Sequence, residues 1–251
     1  MKQVDLNADA GESFGRWRLG NDEELFPLIT SANLATGFHA GDPRVMLKSV
    51  RLAKKHGVAV GAHPGFPDLV GFGRRDLAAS PEEVYTDVLY QIGALSAFLK
   101  LEGLPLHHVK PHGALYLRML RDKETALAVA QAVKDYDEEL PLVLLGNTLM
   151  EEAAKEVGVR YVREAFPDRA YLSDGRLAPR SMEGALIKDP KRAAERAVEM
   201  VLEGEVEALD GGRVKVEAET LCIHGDNPEA VDIARAVREA LEAHGVQIRP
   251  F

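Results

Sequence analysis

The 251 residues, 46% hydrophobic and 28% charged, have the composition of a folded chain able to bury a sizeable core. A formal net charge of −9 repels polyanions on average, so neither nucleic acid nor an anionic membrane surface is an expected partner. The only cysteine, Cys222, cannot form an internal disulfide, and neither a secretory leader nor an apolar run long enough to span a bilayer is visible; a soluble cytoplasmic protein is expected.

In chain order, short apolar runs at residues 4–6, 33–36, 57–61, 106–109, 142–145, 161–164 and 221–223 read as strands, each running into polar sequence. Helical patterns lie between most of them. Met46, Val50 and Ala53 form one stripe, and Val84, Val88, Ile92, Leu95 and Leu99 a stronger one at three-to-four spacing. Ala194, Ala197, Val198 and Val201 form a third, and Ile233, Ala234, Val237 and Leu241 the last. Ser80-Pro81-Glu82-Glu83 supplies a capping serine, a proline in the first turn and the reciprocal glutamate. Asp42-Pro43, Asp189-Pro190 and Asn227-Pro228 repeat the cap-then-proline device. Between residues 203 and 219, Gly211-Gly212 predicts a turn into an extra strand. Strand and helix alternate without a linker or repeat, which predicts one α/β domain over residues 1–251, with parallel strands wrapped by helices.

In a barrel of parallel strands the carboxyl ends converge on one mouth. Here those ends carry Asn7, Asp9 and Glu12, then His39, His63, Lys110 with His112, Asp168 with Arg169, and His224 with Asp226. His39, His63, His112 and His224 are each followed within two residues by glycine, which lets the chain turn sharply and a ligand approach the backbone. One such histidine is most often structural; four together with a lysine and acids point to an active site. Other residues have plainer readings. Asp42 and Asn227 are caps, and Asp226 is ambiguous between cap and catalyst. Arg74-Arg75-Asp76 is balanced between a solvated charge cluster and a site for an anionic substrate. Lys54-Lys55 and Glu151-Glu152 read as solvated helix faces, and His56, His107, His108 and His244 carry no functional expectation.

No phosphate-cradling Gly-x-x-x-x-Gly-Lys loop, dinucleotide Gly-x-Gly-x-x-Gly, serine elbow, His-Glu-x-x-His or paired Cys-x-x-Cys is written in the chain, and Cys222 lacks the context of a nucleophile. What remains is carboxylate, histidine and lysine chemistry suited to general acid–base hydrolysis with stabilisation of an oxyanion.

Several long runs resemble a known family. Asp5-Leu6-Asn7-Ala8-Asp9-Ala10-Gly11-Glu12-Ser13-Phe14-Gly15, Ser31-Ala32-Asn33-Leu34-Ala35-Thr36-Gly37-Phe38-His39-Ala40-Gly41-Asp42-Pro43 and Val109-Lys110-Pro111-His112-Gly113-Ala114-Leu115-Tyr116 look like signatures of the LamB/YcsF family. Gly61-Ala62-His63-Pro64-Gly65, Asp168-Arg169-Ala170-Tyr171, Pro179-Arg180-Ser181 and His224-Gly225-Asp226-Asn227-Pro228 extend the match in order along the chain. Thr36 stands where the family often has cysteine, and Leu117 where asparagine is common.

The resemblance implies an irregular seven-stranded (β/α) barrel of the glycoside hydrolase/deacetylase type. It also implies a 5-oxoprolinase activity: opening of the lactam of 5-oxo-L-proline to L-glutamate, with ATP as co-substrate and 5-oxoprolinase subunits B and C as partners. The missing phosphate loop agrees with activation of the lactam lying at least partly with those partners. On this reading Asp9 or Glu12 deprotonates water, Lys110 and His112 stabilise phosphate or oxyanion charge, and His39 and His224 position substrate or shuttle protons. Arg169 and Arg180 are candidates for the substrate carboxylate, with Asn7, His63 and Asp226 as further substrate-binding positions. Two other readings stay open. One is a stand-alone metal-dependent amide hydrolase or deacetylase with a divalent metal on Asp9, His63 and His112; the other is a non-catalytic protein that only binds 5-oxoproline. Homo-oligomerisation is also left open.

Overall fold

The computed structural model describes residues 2–225 and 228–251, so Asp226 and the Asn227 cap lie outside the described residues. The chain runs β1 (Gln3–Ala10), α1 (Asp22–Leu25), a 3₁₀ turn (Phe26–Leu28), β2 (Ser31–Ala35), α2 (Pro43–His56), β3 (Ala59–His63), α3 (Pro81–Glu102), β4 (His108–Val109), α4 (Gly113–Met119), α5 (Lys123–Tyr136) and β5 (Leu142–Leu145). It continues through α6 (Leu149–Val157), β6 (Tyr161–Ala165), α7 (Pro190–Leu202), β7 (Glu205–Glu207), β8 (Arg213–Lys215), β9 (Thr220–Ile223), α8 (Ala230–Ala243) and β10 (Gln247–Ile248).

Parallel pairing passes from β1 through β2, β3, β4, β5 and β6 to β9, which returns to β1 and closes a seven-stranded barrel. The closure is irregular because β1 shares one edge between two neighbours: Gln3 and Val4 pair with β10, and Asp5 to Ala8 with β9. Only two residues of β6 meet β9. All seven expected strands are present, with shifted ends. The run at residues 33–36 begins at Ser31, and that at 57–61 extends to His63. Apolar runs underestimate these strands because their inward positions are polar. On β1, Val4, Leu6, Ala8 and Ala10 enter the core under the helices, while Asp5, Asn7 and Asp9 alternate into the barrel. The two-residue β10 has no apolar run to announce it.

The helix signals act as their chemistry predicts. Asp42 accepts from the amides of Arg44 and Val45, Ser80 and Glu83 form a reciprocal box, and Asp189 caps α7. Val84, Val88, Ile92, Leu95 and Leu99 are all buried on one face of α3, each burial contributing about 1.5–3 kcal/mol. Gly211 and Gly212 adopt positive φ in the turn between the antiparallel strands β7 and β8. Among the described residues no helix is long and apolar enough to cross a membrane.

One expectation is overturned. Glu152 is exposed, but Glu151 is buried rather than solvated. Its carboxylate accepts from Arg163 Nη2 at 2.8 Å and Nε at 3.1 Å, and pairs with Lys155 at 2.7 Å. Arg163 leaves β6 on the outer face, and α6 lays Glu151 over it. The Arg163 guanidinium holds the Glu151 carboxyl far below the usual carboxylate range.

Gly61 admits the His108 ring into the barrel, since an added Cβ would overlap that ring. Gly61→Ala is therefore expected to destabilise the fold by about 1–3 kcal/mol or more, as overpacking does. Exposed Gly93 inside α3 has no atom within 4 Å of such a Cβ, and Gly93→Ala should stabilise by roughly 0.5–1 kcal/mol. Urea unfolding of both variants checks the pair.

Candidate active site

The barrel interior is a column of hydrogen-bonded polar side chains that rises to the mouth. At its foot, Asp5 accepts from Thr30 and Ser31 at 2.7 Å each and from Thr220 at 2.5 Å. Burial nevertheless pushes its carboxyl pKa up. Above it, Asn7 donates to Thr220 Oγ1 at 2.6 Å, and Asn33 Nδ2 donates to Asn7 Oδ1 at 2.8 Å and Asp9 Oδ1 at 2.9 Å. His108 Nε2 lies 2.6 Å from Asn33 Oδ1 and so donates to it, because an amide oxygen only accepts.

Lys110 follows His108 by two residues and extends into the same interior. Its ammonium lies 2.8 Å from Cys222 Sγ, 3.0 Å from Glu164 Oε2, 3.1 Å from Asp9 Oδ1 and 3.4 Å from Asn7 Oδ1. Burial disfavours that charge, but Asp9 and Glu164 hold the Lys110 pKa well above the usual lysine value. Burial likewise raises Asp9, and His63 and Lys110 outweigh it, holding the carboxyl well below its ordinary range. The Cys222 thiol and the Tyr116 phenol are both pushed up by burial, the latter also by Glu164. Sulfur and phenol therefore stay neutral beside a fixed Lys110–Asp9 ion pair.

Nearer the mouth, Glu12, His39, His63 and His112 each bring one ligand-type atom within 4.8 Å of the others. His39 and His112 stack with ring centroids 3.7 Å apart, and Glu12 Oε1 lies 3.2 Å from His39 Nε2 and 3.7 Å from His112 Nδ1. Positive-φ Gly73 is packed so closely that a Cβ there would meet both residues at 2.7 Å. His63 Nδ1 is 2.6 Å from the Lys110 carbonyl oxygen, and His112 Nε2 is 2.8 Å from that of Phe72. Carbonyl oxygens only accept, so both of these nitrogens carry protons. The neutral rings would then turn bare lone pairs at each other across the 3.0 Å between His63 Nε2 and His112 Nδ1. Such a pair requires a proton or a metal cation between or beside them, and burial disfavours the proton by lowering the His112 pKa well below its usual value.

The opposite rim is built by the segment after β6. His224 follows β9, and its Nδ1 lies 2.9 Å from Asp168 Oδ2, with the Phe166 ring stacked at 5.6 Å. A ring nitrogen of His224 is within 4.8 Å of both Asp9 and Cys222. Arg169 donates one Nη2 bond, 2.8 Å, to the Ala178 carbonyl, so its fork is partly committed. Burial, then Arg180 and Arg74 nearby, lowers the Arg169 pKa to about 10. Of the Arg74-Arg75-Asp76 cluster, Arg75 pairs with Asp68 and Asp76 with Arg121, while Arg74 lies over the Phe72 ring on the mouth side.

The structure thus gathers Asp9, Glu12, His39, His63, Lys110, His112 and His224 around one mouth, with Arg169 and Arg180 on its rim; Asn7, expected to bind substrate, instead lies below the mouth with its amide committed to Thr220, Asn33 and Lys110. Thr36 donates to Gln91 Oε1 at 3.0 Å, whereas Leu117 is exposed on α4. Asn33, His108, Glu164 and Cys222 also line the interior and were not anticipated. Period-two spacing was the available signal: His108 precedes Lys110 by two, and Cys222 precedes His224 by two.

A LamB/YcsF family model matches residues 4–251. The chain is 71% identical to a Thermus thermophilus protein, the A subunit of 5-oxoprolinase, over 99% of this chain and all of that one. A crystal structure of a lactam utilization protein, also from Thermus thermophilus, superposes with a TM-score of 0.96 at 69% identity, covering 99% of this chain and 100% of that one. The barrel is also similar to a family 4 carbohydrate esterase from Streptomyces lividans, with a TM-score of 0.50 at 9% identity over 98% of this chain and 91% of the esterase, a likeness of fold alone. The chain belongs to the LamB/YcsF family.

Proposed function

We propose that this chain is the hydrolytic component of an ATP-dependent 5-oxoprolinase, one cytoplasmic domain over residues 1–251 that opens 5-oxo-L-proline to L-glutamate. The observation that carries this reading is the 71% identity, end to end, with the Thermus thermophilus 5-oxoprolinase protein. That relative is one lettered subunit of its enzyme, which supports partner subunits, B and C, that take at least part of the ATP-dependent activation.

The mouth suits the hydrolytic half of such a reaction. Lys110 holds Asp9 as a fixed anion, so Glu12, 3.2 Å from His39 Nε2, is the better placed carboxylate to take a proton from water. The Lys110 ammonium is a permanent positive charge for the oxyanion that forms as water adds to the carbonyl carbon; His112 has both ring nitrogens committed, to the Phe72 carbonyl and toward His63, so that role falls to Lys110. Asn7 fixes the Lys110 side chain from below and His63 orients Asp9. Arg169 and Arg180 on the rim offer cationic donors to the substrate carboxylate.

A second reading, a metal-dependent amide hydrolase, is favoured by the facing lone pairs of His63 and His112. The donor set that supports it is Glu12, His39, His63 and His112 rather than Asp9, His63 and His112, and its nitrogens and carboxylate suit a borderline divalent ion. Such an ion would polarise a bound water or carbonyl.

Glutamate release from 5-oxo-L-proline and ATP, assayed with this chain and its partner subunits, tests the first reading. Glu12→Gln and Asp9→Asn are each expected to lower turnover by about 10²–10⁴-fold while the subunits still assemble. Full turnover by Asp9→Asn would remove that residue from the mechanism. For the metal, elemental analysis of purified protein is expected to find about one divalent ion per chain in wild type and a loss of it in His63→Ala. Metal-free protein with full activity sinks that reading.

A further inference from the structure

Hydrolysis of a lactam requires a proton twice: one leaves water, and one must reach the ring nitrogen as it departs. The second role needs a basic side chain at the mouth that can give up a proton and recover it every turnover. Lys110 is locked among Asp9, Glu164 and Cys222 and acts as a fixed charge. His63 and His112 each have one ring nitrogen on a backbone carbonyl and the other facing its neighbour in the cluster. His39 bears on Glu12 through Nε2, while its Nδ1 is sealed without a partner, with Gly65 packed against it. The side chains of these three histidines are 0%, 1% and 3% exposed for His39, His63 and His112, against 13% for His224.

His224 therefore stands apart as the least sealed of the four. Asp168 Oδ2 accepts from the His224 backbone amide at 3.1 Å and lies 2.9 Å from Nδ1, so the carboxylate fixes both the backbone and the tautomer. The Phe166 ring, 20° from parallel, sets the imidazole plane. Among the described residues Nε2 has no hydrogen-bond partner, and a ring nitrogen lies within 4.8 Å of Asp9 and Cys222, beside the reacting groups. We propose that His224 Nε2 delivers the proton to the departing lactam nitrogen, with Asp168 as the positioning residue that holds its tautomer. This assignment rests on the lactam-hydrolase reading above and adds the acid to it. In the step, a carboxylate takes one proton from water, the hydroxide oxygen bonds to the carbonyl carbon, and the C–N pair stays with nitrogen as that nitrogen takes the proton from Nε2. Solvent then reprotonates His224, and the carboxylate releases its proton, so ring opening itself consumes one water; the phosphoryl group of ATP leaves as phosphate with a second water in the activation shared with the partner subunits.

The test uses the complex with its partner subunits, 5-oxo-L-proline and ATP, and compares wild type with His224→Gly, His224→Gln and Asp168→Asn. Both His224 variants are expected to lose about 10²–10⁴-fold in kcat with little change in KM. Added imidazole should restore part of the loss in His224→Gly, where it has room, and none in His224→Gln. Asp168→Asn should lower kcat and leave KM in place. The cyclic ester analogue, with oxygen for the ring nitrogen, expels a much less basic group, so the His224 deficit should shrink on it. If His224→Gly does not fold, the lactam-against-lactone comparison in His224→Gln carries the test. A folded His224 variant with wild-type kcat, or an equal deficit on lactam and lactone, overturns the acid assignment alone. Absence of glutamate from the wild-type complex overturns the hydrolase reading and this assignment with it.

Discussion

The ammonium of Lys110 is the interaction on which the rest of the barrel depends. Removing a lysine charge from water costs several kcal/mol, and here the charge is retained because β1 supplies Asp9, β6 supplies Glu164 and β9 supplies Cys222 around a side chain leaving the end of β4. Those strands are far apart in sequence and meet only when the barrel closes. His63 and Lys110 together depress the Asp9 carboxyl against its burial, so the charge pattern of the site and the closure of the fold are one event. One ammonium stands between two carboxylates, and the sulfur beside it stays a thiol.

Barrels of parallel strands are usually filled by branched apolar side chains. This one carries Asp5, Asn7, Asn33, His108 and Asp9 through its centre instead, and their bonds to one another meet the desolvation penalty that each would incur alone. The apolar core lies outside, between strands and helices, where α2, α3, α7 and α8 turn their stripes. A polar column of this kind gives the reacting groups a rigid base: Asn33 holds Asp9, and Asn7 holds Lys110, from beneath. Rigid placement of charge before the substrate arrives is the main source of electrostatic stabilisation in enzymes.

The mouth divides into two halves with different access to water. Glu12, His39, His63 and His112 form a sealed, tightly stacked half closed by Gly73. His224 with Asp168, and the Arg169–Arg180 rim, form a more open half contributed by the segment after β6 and the end of β9. A lactam lying between them would meet the proposed base, Glu12, on one side and the proposed acid, His224, on the other.

Much of this was written in the residues themselves. Apolar runs and caps determined the order of the seven barrel strands and of α2, α3, α7 and α8, though not α1, α4, α5 or α6, and the polar residues following those runs marked Asp9, Glu12, His39, His63, Lys110, His112 and His224, because strand-end chemistry is local in sequence. Long ordered motifs determined the family. What the tertiary structure alone decided is which polar groups face each other. Glu164 and Asn33 sit inside strand sequence, and their inward direction depends on barrel closure. Glu151 is buried only because α6 lies over Arg163, and His108 only because Gly61 makes room for its ring. The opposed nitrogens of His63 and His112 arise from carbonyls of Lys110 and Phe72, positions that no spacing rule connects. Local patterns encode each strand and its end; contacts between strands distant in sequence exist only after the ring of seven has closed.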